Sequence, residues 1–291
     1  MTIGIDRVNR DIELEIVRRA YAKQIMATFG VVDRRVEAAF ASVKREDYLG
    51  RGPWQVVRWG RGYVPTPSRN PVYLYDDVVV GILPERNLNN RQPSLHALMV
   101  ASASPRPGEH VVHVGAGVGY YTSVLQHLVS RRGRITAIEF DPGLAQRLGA
   151  NFAGASNVRV VQGDGAGVEF DRADVIYVNA GATRPANPWL DRLVDGGRLI
   201  LPLTACEFPA GDIRQGAVFR IERRGDDFVA RRISAVAIFP CEGMRDPKSE
   251  AALAAAFETG RVQEVTRLYR RDDLPDEDCW VRGSGWCLAY R

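Results

Sequence analysis

The stretch Val111-Val112-His113-Val114-Gly115-Ala116-Gly117-Val118-Gly119-Tyr120 constrains this chain more than any other. A hydrophobic run leads into three glycines at alternate positions, and a helical pattern follows. A strand that ends in so sharp a turn needs residues free to take positive φ, and the missing Cβ atoms let a ligand lie on the backbone. The spacing is G-x-G-x-G. The sixth position of a dinucleotide fingerprint is Tyr120 rather than Gly or Ala, which argues for a cofactor with no pyrophosphate to cradle. A plain strand–helix turn is the competing reading.

The rhythm around this motif sets the fold class. Residues 110–114, 134–139, 158–162, 174–179 and 198–202 are short β-rich runs. Helical patterns at 120–130, 142–153 and near 189–193 separate most of them. Alternating strand and helix predicts an α/β domain of right-handed βαβ units, Rossmann-like, with a mostly parallel sheet. Residues 217–222 and 228–239 flank Arg224-Gly225-Asp226-Asp227 and predict an antiparallel hairpin that completes the sheet.

Upstream, Leu14, Val17, Tyr21 and Ile25 fall at helical spacing, and Asp33 reads as the N-cap of a second helix carrying Val36, Ala39 and Phe40. Residues 50–70, rich in Gly, Pro, Arg and aromatics, read as an irregular connection, and 73–83 as β-like. Gln92-Pro93 opens a helix that turns Leu95, Leu98 and Met99 inward. Downstream, 248–259 reads as a helix, with strands at 262–268 and 286–290 joined by an acidic turn at 272–278. The division expected is an N-terminal helical cap and substrate-side segment (1–103), a cofactor-binding domain (104–243) and a C-terminal extension (244–291).

Composition narrows the function classes. Of 291 residues, 45% are hydrophobic and 25% charged, as in ordinary globular proteins. The net charge of +4 is scattered along the chain as arginine pairs, not gathered as a nucleic-acid binder usually gathers it. Residues 1–10 have no long apolar core, which predicts no secretory signal, and no run of about 18 apolar residues predicts a membrane span. Cys206, Cys241, Cys279 and Cys287 form no C-x-x-C pair. They read as reduced thiols in a cytoplasmic protein, with no metal site.

Two acids follow the glycines in order. Glu139 closes the second run 20 residues past Gly119, the spacing at which an acid accepts ribose hydroxyls. Gly163-Asp164-Gly165 follows the third run, where an acid can accept from an adenine amino group. Alone, Glu139 reads as an exposed acid beside the helix start at Asp141-Pro142, and Asp164 as a turn aspartate. Their order after successive strands is what makes them specific.

With these motifs the chain resembles the class I methyltransferases and, more narrowly, the protein-L-isoaspartate O-methyltransferase family. The likeness runs through Asp33-Arg34-Arg35-Val36, Lys44-Arg45-Glu46-Asp47-Tyr48, Tyr75-Asp76, Gln92-Pro93, the glycine motif, Gly163-Asp164-Gly165 and Gly196-Gly197-Arg198-Leu199-Ile200-Leu201-Pro202. It implies S-adenosyl-L-methionine as cofactor, with Gly115, Gly117, Gly119, Glu139, Asp164 and Gly165 lining its site. His96 matches a histidine found near the cofactor in some members; a polar residue on a packed helix is the alternative. Asn179, ending the fourth run, stands where class I enzymes place substrate-facing residues.

Three departures from the family stand out. Arg91 replaces the Ser that precedes Gln-Pro, His113 stands where an acid is usual, and about fifty residues follow the family core. A guanidinium can hold a carboxylate with two donors. A carboxylate held too tightly becomes a poorer nucleophile, so Arg91 is a candidate for orienting a different group of the substrate or for binding the cofactor's own carboxylate, with a salt bridge as the alternative; Asn90 and Ser94 are weaker candidates. The resemblance implies carboxyl O-methylation of isoaspartyl or aspartyl groups in protein or peptide. Methylation of RNA or a small molecule, and binding without catalysis, stay open at this stage.

Overall fold

The computed structural model describes residues 2–58, 60–205 and 215–291. Cys206 lies outside them. The chain forms two compact units: Met1–Ala101 with Gly117–Leu128, and Ser102–Ala116 with Val129–Arg291.

In the first unit, α1 (Thr2–Thr28) packs on α2 (Arg34–Ser42). Tyr21, Ala22, Ile25 and Met26 of α1 are buried, as are Val36, Ala39 and Phe40 of α2. Asp33 caps α2 as the sequence predicts, its carboxylate accepting from the Arg35 and Val36 amides. A short helix α3 (Glu46–Leu49) follows. Residues 50–70 are not simply irregular: β1 (Gln55–Arg58) and β2 (Gly62–Pro65) form an antiparallel hairpin. Gly60 and Gly62, both at positive φ, shape its connection. Residues 73–83 are mostly not strand either. A 3₁₀ turn spans Pro71–Leu74, Val80 makes a single antiparallel bridge to Val56, and β3 (Gly81–Leu83) pairs with β4 (Leu88–Asn89). Leu49, Trp54, Val56, Leu74, Val78 and Val80 make a small core beneath the hairpin. Pro93 opens α4 (Pro93–Ala103) as predicted, but the buried side chains are Ser94, His96, Ala97, Met99, Val100 and Ala103; Leu95 and Leu98 are half-buried.

The second unit carries one ten-stranded sheet. Its parallel half comprises β5 (His110–Val114), β6 (Arg134–Glu139), β7 (Val158–Gln162), β8 (Ala173–Val178) and the first part of β9 (Leu193–Thr204), in the order β7-β6-β5-β8-β9. β5 is buried throughout and β6 and β8 nearly so, which accounts for their unbroken runs of apolar and β-branched residues. Helix α5 (Tyr120–Val129) follows β5 in the chain, α6 (Pro142–Asn151) follows β6, and α7 (Asn187–Arg192) precedes β9. The β8–β9 register jumps from Ala173↔Leu193 to Val175↔Arg198, so Val194–Gly197 bulge out, with Gly196 at φ +70°.

The predicted hairpin exists as β10 (Gly216–Arg224) and β11 (Asp227–Ala235), antiparallel to β9 and to each other, but it does not complete the sheet. After α8 (Pro247–Glu258), β12 (Arg267–Tyr269) pairs with β11, β14 (Trp286–Ala289) with β12, and β13 (Cys279–Gly283) with β14. The strand expected at 262–268 is therefore only three residues long, and β13, which starts directly after the acidic turn, is a strand not expected from the sequence. The thiol expectation is also corrected: the β13–β14 hairpin brings the Cα atoms of Cys279 and Cys287 to 6.2 Å, and their sulfurs are joined as a disulfide. Cys241 is a free, buried thiol. Among the described residues no helix is long and apolar enough to cross a membrane.

Candidate active site

The chain order of the parallel strands reverses between β5 and β8, where open α/β sheets leave a crevice beyond the strands' carboxyl ends. Five of the sequence-predicted residues meet at that edge. The Gly115 and Ala116 amides donate to Ile138 O at 2.9 and 3.1 Å, the Gly163 amide to Glu139 O at 2.9 Å, and the Asn179 amide to Val114 O at 2.8 Å. These bonds carry the ladder one step past each strand and hold the turns in a row. Asn179 Nδ2 donates to Gly115 O at 3.2 Å, across the switch point. A Cβ on Gly115 would lie 3.2 Å from Asn179 O, so only glycine lets the two turns approach this closely at φ +73°. Gly165 backs against β5: its Cβ would stand 2.3 Å from Val114 Cγ1, and the buried Trp189 indole donates to its carbonyl at 2.9 Å.

The edge is acidic and rich in acceptors. Glu139 is buried; one carboxylate oxygen accepts from the Asp141 amide at 3.0 Å. Asp164 Oδ1 accepts from the Ala166 amide at 2.9 Å. Asn179 Oδ1 is a buried acceptor with no hydrogen-bond partner among the described residues. Cys241 lies in the field of both acids: burial, then the charges of Asp164, Glu242 and Glu139, push its thiol up to about 12, so it stays neutral. His113 is fully buried in β5, its ring edge-on to Tyr177 at 5.4 Å, and burial holds its pKa down to about 3. It is a neutral core residue, not a site residue.

The remaining candidates lie in the first unit. Gly117 and Gly119 take φ of +57° and +99°. The His96 ring stacks on Tyr121, centroids 3.6 Å apart and planes 12° apart. The Tyr121 hydroxyl donates to Asn90 O at 3.0 Å. Arg91 takes φ +57°, its amide donating to Asn89 Oδ1 at 3.0 Å. Burial lowers its guanidinium to about 9 against an opposing pull from Tyr121 and Tyr63, so it stays charged at neutral pH. Ser94 faces Asp77 instead of an open surface: its amide and hydroxyl donate to the two carboxylate oxygens at 2.8 and 2.6 Å, and Gln92 Nε2 adds a third bond at 2.9 Å. Asp77 thus caps α4 from 17 residues away.

Sequence reasoning gave no individual role to Arg45, Asp77, Thr183 or Gly243. Arg45 sits inside a motif quoted for the family likeness, but its burial has no periodic signature. Thr183 is buried, takes a bond from the Asp246 amide at 2.9 Å and donates to Met244 O at 3.1 Å, so it ties the turn before α8 to the segment after β8.

A family model for protein-L-isoaspartate (D-aspartate) O-methyltransferases matches residues 20–243. The protein-L-isoaspartate O-methyltransferase of Thermotoga maritima is 30% identical over 185 residues, 62% of this chain and 53% of its own length. This chain thus spans about half of that relative. The Methanoregula boonei protein of the same name is 30% identical over 230 residues, covering 78% of this chain and 93% of its own. A solved protein-L-isoaspartate O-methyltransferase superposes with a TM-score of 0.62 at 25% identity, over 76% of this chain and 65% of its own. A Plasmodium falciparum β-aspartate methyltransferase, solved with S-adenosyl-L-homocysteine, shares the fold, with a TM-score of 0.59 at 17% identity over 77% of this chain and 98% of its own. With more than half its length matched by one family model, and with Gly115, Glu139 and Asp164 at one sheet edge, this chain belongs to the protein-L-isoaspartate (D-aspartate) O-methyltransferase family.

Proposed function

We propose that this chain is an S-adenosylmethionine-dependent methyltransferase that esterifies isoaspartyl or aspartyl carboxylates in a protein or peptide. The observation that carries this is the carboxyl edge of the sheet, where Gly115 and Asn179 lock across the switch point and Glu139 and Asp164 follow the next two strands.

The residues fit the cofactor. A buried, unpartnered Asn179 Oδ1 and two carboxylates suit a molecule that offers an ammonium, ribose hydroxyls and an adenine amine. Glu139 would hold the ribose and Asp164 the adenine amine, while Gly115 and Gly165, packed against Asn179 and Val114, let the turns that carry these groups close on one another. Gly117 and Gly119 are assigned through the motif, and His96 through the resemblance. When bound, S-adenosylmethionine supplies a methyl group on a positively charged sulfur.

The acceptor carboxylate is ionised at neutral pH, its reference pKa being near 4, so no side chain need remove a proton. The protein's tasks are orientation and exclusion of water. We assign orientation of the substrate to Arg91, whose charged fork would hold a group other than the reacting carboxylate, since a carboxylate held by two donors is a poorer nucleophile; Asn179 would face the substrate from the sheet edge. On the strength of the family we also place the protein in the cytoplasm, acting on peptide carboxylates and not on nucleic acid.

The test is methyl transfer from labelled S-adenosylmethionine to an isoaspartyl peptide. A base-labile labelled ester is expected. Label carried into RNA or a small-molecule extract instead would move the acceptor, and failure to bind S-adenosylmethionine would overturn the reading altogether.

A further inference from the structure

We infer that Gly243 is a positioning residue for adenine recognition, acting through Asp164. The inference rests on the reading that Asp164 accepts from the adenine amino group.

Residues 239–244 run along the carboxyl edge of the sheet. The Gly181 amide donates to Phe239 O at 2.6 Å, the Cys241 amide to Gly181 O at 2.9 Å, and the Met244 amide to Cys241 O at 3.0 Å, closing a turn. The Thr183 amide fastens the far side of that turn through Met244 O at 3.0 Å. At its tip Gly243 takes φ +77°, and the Asp164 carboxylate occupies the space a side chain there would fill. A Cβ there would stand 2.3 Å from Oδ2, 2.6 Å from Cγ and 2.8 Å from Oδ1. Since Asp164 Oδ1 is already fixed by the Ala166 amide, the turn and that amide together set the carboxylate's plane. The atoms a methyl group would meet are the end of a side chain, not backbone. An alanine at 243 therefore displaces the acceptor more readily than it unmakes the turn.

Positive φ alone would strain an alanine, and Gly260 supplies the control: it takes φ +69° with nothing within 4 Å of its virtual Cβ. The experiment is calorimetric titration of S-adenosylhomocysteine and of its 6-oxo analogue, S-inosylhomocysteine, into wild type, Gly243→Ala, Gly260→Ala and Asp164→Ala. Wild type should prefer the amino form. Gly243→Ala should bind S-adenosylhomocysteine about ten- to a hundredfold more weakly, the range of a lost hydrogen bond to a charged group, and lose far less for the 6-oxo form. Gly260→Ala should bind as wild type. The double variant Gly243→Ala/Asp164→Ala should lose no more than Asp164→Ala; if Gly243→Ala alone does not fold, the double variant should recover folding, because the clash is removed.

Unchanged binding by Gly243→Ala, an equal loss for both ligands, or a double variant that stays unfolded would overturn the inference while leaving Asp164 in its role. A wild type that does not distinguish the two ligands would instead remove Asp164 from that role, and Gly243 with it.

Discussion

Arg45 Nη2 donates to Asn90 Oδ1 at 2.7 Å across 45 residues of sequence, and both side chains are buried. The same guanidinium donates to Leu74 O at 2.7 Å, Asp76 O at 3.3 Å and Val78 O at 2.7 Å, and lies 5.8 Å from the centroid of the Tyr120 ring. One cation thus gathers the carbonyls of residues 74–78 and the loop that carries Arg91. Rings surround it: Tyr21 and Tyr120 share a hydrogen bond at 3.3 Å, and Tyr75 meets Tyr21 edge-on.

Removing that cation should be costly. Arg45→Met fills the volume but strands three buried acceptors, Leu74 O, Val78 O and Asn90 Oδ1, each worth about 1–3 kcal/mol when left unsatisfied. A loss of at least about 3 kcal/mol is expected in urea unfolding, with Arg45→Lys intermediate because an ammonium cannot span the same acceptors. Wild-type stability in Arg45→Met would show that the carbonyls find other partners and that this hub is dispensable.

Two roles are open to Arg91, one on the substrate and one on the cofactor's carboxylate, and substitution separates them. If it orients the substrate through a group other than the reacting carboxylate, Arg91→Lys should cut kcat/KM for an isoaspartyl peptide by about tenfold or more, through loss of the bidentate fork, while S-adenosylhomocysteine binds as before. Arg91→Ser, the residue usual in the family, should lose at least as much. A weakened cofactor with an unchanged peptide KM would hand Arg91 to the cofactor's carboxylate instead.

His113 makes stability depend on acid. Its folded pKa, about 3, lies below the ordinary 6.5, so the unfolded chain binds the proton more readily. Its full contribution is present above about pH 6.5 and is lost as pH falls toward about 3, at up to about 1.4 kcal/mol per pH unit. His113→Leu cannot take up that proton. The gap between wild-type and variant urea midpoints should therefore tilt against wild type between pH 6 and 4 (roughly the usable part of the window). Parallel midpoints across that range would mean that His113 is protonated without penalty.

The parallel core was legible because burial on both faces leaves apolar runs of strand length, and because a turn at each carboxyl end demands glycine or an acid. Gly115, Glu139, Asp164, Gly165 and Asn179 could be placed in order for that reason. The β1–β2 hairpin was hidden since four-residue strands among Gly, Pro and Arg show too few alternations to register. β13 was hidden because Asp272 to Asp278 reads as turn right up to Cys279. Gly243 and Arg45 were illegible for a different reason: each matters through a partner far along the chain, Asp164 or Asn90, and no local pattern announces such a pairing.

The ten-stranded sheet changes what counts as a minimal piece of this protein. The family match stops at Gly243, yet β12 pairs with β11, and Trp280, Val281, Trp286 and Leu288 share one apolar core with Phe219, Phe228 and Ala230. A fragment ending at the family boundary would bare the edge of β11 and that apolar layer together, the combination that recruits neighbouring chains into aggregates. Homology marks where the shared ancestry ends; the smallest stretch that keeps the β11 edge paired and that apolar layer covered extends through β14.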